Sequence, residues 1–316
     1  MHIVTGGAGF IGSNVVRGLN RLGITDVVIV DDLEQGEKHL NLNSLAFSDF
    51  VDVRKAGELR AKLAGAKVES VSHQGACSDT TERNGRAMME TNYEASKAWF
   101  EFAVGRCPFV YASSAAVYGD GAGGFREEPA CEWPLNVYGF SKIAFDNWVR
   151  PRLASAKTPV VGLRYFNVYG PQENHKGRMA SVVFKLFQQA SRGEDLTVFE
   201  GSDGFRRDFV WVEDVVDVNL FFLERAARGI FNCGSGRAES FGELARATAA
   251  ELPGARVVAV PFPDDLRGKY QAFTQADLGA LRRAGYAREF TSLAEGVRRY
   301  VARLKETGGF FRSPAR

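Results

Sequence analysis

The sequence predicts an α/β protein in which a doubly wound parallel sheet carries a smaller α/β substrate-binding cap. Three observations predict it. Short β-branched runs alternate with helical stretches through the first two-thirds of the 316 residues. A glycine-rich turn, "TGGAGFIGSN", joins the first strand to the first helix. Two adjacent carboxylates, Asp31 and Asp32, end the second strand, roughly 20 residues past the last glycine of that turn.

The bulk numbers narrow the class. A chain of 316 residues is long for one core, so a large domain with a smaller lobe is expected. With 45% hydrophobic and 25% charged residues, long disorder is excluded. The net charge of +2, with basic residues scattered, argues against nucleic acid as a partner. No apolar run reaches the roughly 18 residues of a membrane span. The chain opens directly on a strand, "MHIVTGG", which leaves no signal peptide and points to the cytoplasm. Cys77, Cys107, Cys131 and Cys233 have no C-x-x-C or metal-ligand spacing. They read as small buried apolar residues in a reducing compartment, and no metal is expected.

Along the chain, "HIVTG" is the first strand and "GSNVVRGLNRLG" a helix closed by Gly23. "DVVIVDD", "SVSHQGA", "PFVYASS" and "VVGLRYFNVYG" are the second to fifth strands, each separated by enough chain for a crossover helix. From about Met179 the alternation loosens. "SVVFKLFQQASRG" is a helix, and "LTVFEGSDGFRRDFVWVEDV" reads as a hairpin with Gly201 and Gly204 in its turn. "VEDVVDVNLFFLERAA" is an amphipathic helix that returns to the sheet through a strand, "GIFNCGSG". "VRRYVARLKE" is an amphipathic helix closing the cap. The expected division is residues 1–169 plus about 210–234 for a dinucleotide-binding Rossmann-type domain, and about 170–209 plus 235–316 for the cap.

Gly6, Gly9 and Gly12 sit between strand and helix, where a tight turn lets the backbone approach a pyrophosphate. The helix that follows offers free N–H groups and a positive dipole end. Asp31 and Asp32 stand where a carboxylate accepts ribose hydroxyls, which favours NAD, while Lys38 is near enough to neutralise a 2′-phosphate. The chemistry leaves both cofactors open. In "YGFSK", Tyr138 and Lys142 share a helix face at i and i+4. An ammonium beside the phenol lowers the tyrosine pKa from about 10 toward working pH, so that Tyr138 exchanges a proton with a hydroxyl as hydride moves. "YASSAAVYG" puts Ser113 and Ser114 at the carboxyl edge of the sheet. "NHKGRMAS", with His175, Lys176 and Arg178, reads by itself as a solvated basic loop.

Taken jointly, "TGGAGFIGSN", "GACSDTTE", "LNVYGFSK", "RYFNVYGP", "HKGRMASV", "VFEGSDGFRRDFV", "GSGRAESF" and "YQAFTQADL" resemble the extended short-chain dehydrogenase/reductases over the whole chain. Within them they look like the ADP-L-glycero-D-manno-heptose 6-epimerase family, for which "HKG-x-MAS" and "YQAFTQADL" are the particular motifs. The resemblance implies an isomerase of lipopolysaccharide core biosynthesis that acts on an ADP-heptose by transient oxidation to a 6-keto sugar. It implies tightly bound NADP that is not consumed, with NAD as the fallback. Tyr138 and Lys176 would be the two acid/base groups, supported by Ser114 and Lys142. Besides the three glycines, Phe10, Ile11, Asp31, Asp32, Lys38, Gln74, Gly75, Ala76, Cys77, Ser78, Thr91, Lys142, Val168 and Lys176 would meet the cofactor. Asn167, Arg178, Lys185, Phe199, Glu200, Gly201, Ser202, Arg207 and Tyr270 would hold the sugar nucleotide. Relatives are homo-oligomers, commonly pentamers.

The sequence departs from the family in places. Asp32 stands where many relatives have Asn, Thr91 precedes Asn92 where an Asn pair is common, and Arg178 and Lys185 replace Ser and His. The nearest alternative is a 4-epimerase or 4,6-dehydratase. Ala115 and Ala116 follow Ser114 where a dehydratase would carry an acid. A non-catalytic dinucleotide-binding protein is the reading from a different class.

Overall fold

Strands buried on both faces read as near-continuous apolar runs, and the central sheet is built from such strands. A computed structural model describes residues 1–263 and 271–314. In chain order the strands are β1 (His2–Thr5), β2 (Val27–Asp31), β3 (Asp49–Asp52), β4 (Ser70–His73), β5 (Phe109–Ser114), β6 (Val160–Tyr165), β7 (Asn167–Tyr169), β8 (Leu196–Phe199), β9 (Arg206–Arg207), β10 (Phe209–Trp211), β11 (Arg228–Cys233), β12 (Glu239–Ser240) and β13 (Val257–Val260). The α-helices are α1 (Phe10–Arg21), α2 (Ala56–Lys62), α3 (Gly85–Met89), α4 (Ala95–Ala103), α5 (Val137–Leu153), α6 (Val182–Ser191), α7 (Val212–Leu223), α8 (Phe241–Ala250), α9 (Gly279–Arg283) and α10 (Leu293–Thr307).

Seven strands form one parallel sheet in the order β11-β6-β5-β4-β1-β2-β3. Alternate side chains of each strand feed two cores. Ile3, Val28 and Val30 pack with Trp99, Phe100 and Phe145 of α4 and α5. Val4, Val27 and Ile29 turn the other way, onto Val15, Val16 and Leu19 of α1 and Val216 of α7. Gly23, at φ +78, closes α1 as its sequence position predicts. The expected return through α7 to a sheet strand is also present, with β11 parallel to β6.

From β1 the chain winds outward through β2 and β3, then crosses to β4 on the other side. The connections at the carboxyl ends of β1 and β4 therefore diverge and leave a crevice, the usual ligand position in open α/β sheets.

The local pattern misleads in three places. Strand β3 was not expected. Only Phe50 and Val51 are apolar in it, and as an edge strand it is half exposed. The stretch read as a hairpin is not one. β8 pairs in parallel with β13, β9 antiparallel with β12, and β10 in parallel with β7. Gly201, at φ +77, does make the turn, but the strands either side of it find partners elsewhere. The fifth strand breaks at Phe166 into β6 and β7, and β7 leaves the sheet.

Beyond the sheet a separate core gathers Val183 and Phe184 of α6, Leu244 of α8, Val297 and Tyr300 of α10, and Trp211. Leu281, Tyr286 and Phe290 belong to the C-terminal stretch assigned to the cap. They pack with Val215, Phe222 and Phe231 against the sheet. No helix among the described residues is long and apolar enough to cross a membrane.

Candidate active site

A cleft of about 1460 Å³ opens at the carboxyl ends of β1 and β4 and extends to Val182 of α6 and Leu244 of α8. Its floor is the glycine turn. Gly6 takes φ +65, and a Cβ there would lie 2.6 Å from the backbone nitrogen of Gly75. A Cβ on Gly12 would lie 2.0 Å from the Gly6 carbonyl oxygen, so only glycine lets helix and turn approach this closely. Helix α1 starts with no side-chain cap on Gly9, and Gly9 to Gly12 line the cleft. Its first-turn N–H groups are thus left for an anion.

At the end of β2, Asp31 is buried and fully engaged. One carboxylate oxygen accepts from the Ala8 N–H at 2.8 Å, the other from the Asp32 N–H at 2.8 Å and from Lys38 Nζ at 2.6 Å. Lys38 also reaches Asp32 at 3.1 Å. Arg54, which sequence reasoning missed, lines this end of the cleft while paired with Asp52 at 2.8 Å.

Tyr138 lies in the first turn of α5, whose start is capped by Asn136 accepting from the Gly139 N–H at 2.8 Å. One turn on, buried Lys142 has its Nζ 6.0 Å from the Tyr138 ring centroid and donates to the Ala112 carbonyl at 3.0 Å. Ser114 ends β5, and its hydroxyl accepts from the Ala116 N–H at 3.1 Å. The expected lowering of the phenol pKa is not found. Burial pushes Tyr138 up, and hydrogen bonding with Ser114 only partly pulls it back. Lys142 responds to burial too, pushed down to about 8 although Asp146 favours its charge.

The "NHKGRMAS" stretch folds as a 3-10 turn, Asn174–Met179, with Gly177 at φ 51. It is not merely solvated. Lys176 lines the cleft with its Nζ 5.1 Å from the Phe10 ring centroid, and burial lowers its pKa against the pull of Glu173. Burial likewise lowers His175, to about 4, with Lys38 and Lys176 adding to the effect.

Residues 2–234 match the NAD dependent epimerase/dehydratase family. The chain belongs to that family. It is 51% identical over 316 residues to the ADP-L-glycero-D-manno-heptose-6-epimerase of Brachyspira hyodysenteriae, covering 98% of this chain and 99% of the relative. The crystal structure of the Helicobacter pylori ADP-L-glycero-D-manno-heptose-6-epimerase superposes with a TM-score of 0.84 at 30% identity, covering 96% of each chain. A Thermotoga maritima UDP-glucose 4-epimerase solved with UDP-glucose gives a TM-score of 0.82 at 28% identity, over 97% of this chain and 99% of that one.

A family described as NAD dependent calls for a nicotinamide dinucleotide. The residues present fit one, since the glycine cradle, the open N-terminus of α1 and the carboxylates ending β2 all face the same cleft. Gln74, Gly75, Ala76, Cys77, Ser78, Thr91, Asn167, Val168, Arg178 and Arg207 also line it. Cys77 is therefore half-exposed to the cleft, unlike the three other cysteines, which are buried. Other expected contacts lie apart. Lys185 is exposed and donates to the Arg178 carbonyl at 2.8 Å. Phe199, at the end of β8, meets Phe262 with ring centroids 5.4 Å apart, and Phe199, Glu200, Gly201 and Ser202 do not line the cleft. Tyr270 lies outside the described residues. His73, which lines the cleft, is bonded to Thr5 and Ser96 at 2.6 and 2.9 Å, and so is a packed strand-end residue.

Proposed function

We propose that the chain converts ADP-D-glycero-D-manno-heptose to its L-glycero epimer at C6, with Tyr138 and Lys176 as acid/base groups on opposite sides of the reacting carbon. The observation that carries this reading is that Lys176 enters the same cleft as the Tyr138, Lys142 and Ser114 set, from a different element. The near-full-length likeness to two heptose epimerases supports the substrate.

The hydrogen at C6 has no neighbouring carbonyl and is not acidic, so direct deprotonation is a poor route. A nicotinamide held over the glycine turn would supply a reversible hydride acceptor, which would let the sugar pass through a 6-keto form with no net redox change. Return to the other face requires the carbonyl oxygen to point first to one side and then to the other. Each position needs its own proton donor and acceptor within hydrogen-bonding reach. Tyr138, kept neutral by burial, is suited to give a proton to one oxygen position. Lys176, with its charged form disfavoured by burial, is suited to accept one at the other. Ser114 hydrogen-bonds the reacting oxygen on the Tyr138 side. Lys142, one turn beyond Tyr138, ties α5 to β5 through the Ala112 carbonyl. A single-tyrosine 4-epimerase leaves Lys176 without a task, and Ala115 and Ala116 line the cleft where a dehydratase needs an acid.

We further infer NADP, held on the 1–169 and 210–234 segments, with the sugar nucleotide under the remaining residues and Arg207 toward its diphosphate. The reaction then belongs to lipopolysaccharide core assembly in the cytoplasm. Proton NMR of the substrate incubated with purified protein and no added cofactor should show conversion to the L-glycero epimer. Lys176→Met and Tyr138→Phe should each cut turnover by about 10² to 10⁴-fold while keeping the cofactor. Near-normal turnover in Lys176→Met would remove the two-base mechanism, and unchanged substrate with the wild-type protein would remove the assignment.

A further inference from the structure

The turn that carries Lys176 is held at its base by side chains outside the cleft lining. Gln172 is wholly buried and takes φ +78, the only positive φ on a non-glycine residue among those described. An L-residue adopts this left-handed conformation only where its surroundings over-determine it. Here they do. The Gln172 N–H donates to the Gly309 carbonyl at 2.9 Å. Its own carbonyl accepts from Asn41 Nδ2 at 3.1 Å, and its Nε2 donates to the Asn41 carbonyl at 3.0 Å. The two residues thus grip each other reciprocally.

Asn41, 1% exposed, also bonds away from this pair. Its Nδ2 donates to the Ala8 carbonyl of the glycine turn at 2.9 Å and lies 3.3 Å from His175 Nδ1. It closes the 3-10 turn Gly36–Asn41, which carries Lys38. The glycine turn, the ribose-end turn and the Lys176 turn therefore meet on one amide. On the far side, buried Glu173 accepts from the Ser181 N–H and hydroxyl, both at 2.6 Å, while its carbonyl accepts from the Lys176 N–H at 2.9 Å. The loop is closed beneath Lys176 from both ends. Asn41 Oδ1 and Gln172 Oε1 are buried and have no hydrogen-bond partner among the described residues, a cost that an apolar pair would avoid. What the amides add is one defined register.

We infer that Asn41 and Gln172 are positioning residues for Lys176, their paired amides fixing its turn against the glycine turn. The inference rests on the acid/base role proposed above for Lys176. If each base serves one epimer, Lys176→Met slows hydride transfer from one epimer and Tyr138→Phe from the other. Single-turnover formation of reduced nicotinamide, followed by absorbance for each epimer separately, reads this directly. Asn41→Asp removes the Nδ2 donor at constant size. Gln172→Gly keeps a backbone that accepts φ +78 and removes the side chain, so it stands alone should Asn41→Asp unfold.

Each variant should lose about 10 to 100-fold for the epimer that depends on Lys176, the scale of a roughly 1 Å misplacement. For Gln172→Gly the other epimer, the co-purified cofactor content and the unfolding midpoint should stay near wild type; for Asn41→Asp, whose carboxylate faces the Ala8 and Gln172 carbonyls, the two rates are compared on folded, cofactor-loaded protein. Equal losses for both epimers, or wild-type rates for both, overturn the inference. Lys176→Met with unimpaired rates for both epimers removes the acid/base reading itself, a result separate from failure of the clamp.

Discussion

Cofactor choice is decided at single residues, and Lys38 is the one to test. Its ammonium is held by Asp31 and Asp32 at 2.6 and 3.1 Å, while Asp31 also accepts the Ala8 and Asp32 N–H groups. A carboxylate so engaged has little left for the ribose hydroxyls of NAD. A 2′-phosphate would instead compete for Lys38, with Arg54 at the same end of the cleft. Lys38→Ala is expected to weaken NADP by about 10 to 100-fold, the scale of one charge-assisted hydrogen bond. NAD should weaken by less than about three-fold on the same scale. Titration calorimetry of both dinucleotides on stripped protein checks this, and equal weakening would count against NADP. Lys38 was visible in the sequence as a cation near two acids, but its partners' engagement was not. Ala8 contributes only a backbone N–H, which no residue type signals. Asn41 and Gln172 were hidden for a similar reason, being isolated amides whose contacts join positions 131 residues apart. The lowered Tyr138 pKa was expected from the Lys142 spacing alone, and spacing carries no information about burial.

At the scale of elements, α5 and β5 together hold the Tyr138 side of the site. Tyr138, Lys142 and Asp146 follow at intervals of four along α5 and so face one way. Asp146, 0% exposed, accepts from the Tyr111 hydroxyl at 2.9 Å and the Ser113 hydroxyl at 3.0 Å, both on β5. It also accepts from Arg164 Nε at 3.0 Å. Arg164 is itself fully buried and paired with Glu132 at 2.5 Å. This network and the Lys142 bond to Ala112 set the register of Tyr138 against Ser114. Asp146→Ala leaves Arg164 short of a partner in the core and should destabilise the protein by about 3–5 kcal/mol. It also removes the charge that favours protonated Lys142, whose pKa should fall further below its present value of about 8. Urea unfolding and a pH–rate profile measure the two effects, and a loss under about 1 kcal/mol would show the network to be dispensable. The Tyr138–Lys142 pair was legible from its spacing, and extending that spacing by one turn reaches Asp146. Arg164 was not legible, because one charge inside "VVGLRYF" gives no sign that the strand is central. The same limit applies to β8, β9 and β10. Local pattern suggests the nearest partner, whereas Leu196 pairs with Val257 in a different stretch of chain.

The whole molecule should be sensitive to mild acid through His73, which sits where the sheet's two halves meet. Its Nδ1 is 2.6 Å from Thr5 Oγ1 on β1, and its Nε2 is 2.9 Å from Ser96 Oγ on α4. Burial pushes its pKa to about 3 from the ordinary 6.5, with Lys142 and Arg60 acting in the same direction. At this one site the folded chain therefore binds fewer protons than the unfolded chain between about 3 and 6.5. The His73 contribution to unfolding free energy rises with pH across that window and falls on acidification, and it is fully present only above the unfolded pKa. The limiting slope is about 1.4 kcal/mol per pH unit for one group. His73→Gln keeps a polar side chain but has no proton to gain in this range. Urea unfolding at pH 7 and at about pH 5.5 should show wild type losing about 1 to 2 kcal/mol more than His73→Gln. The comparison cancels the carboxylates and His175, which titrate alike in both proteins. A gap between the two proteins that stays constant with pH would mean that His73 is charged or solvated in the native state, contrary to its place in the core.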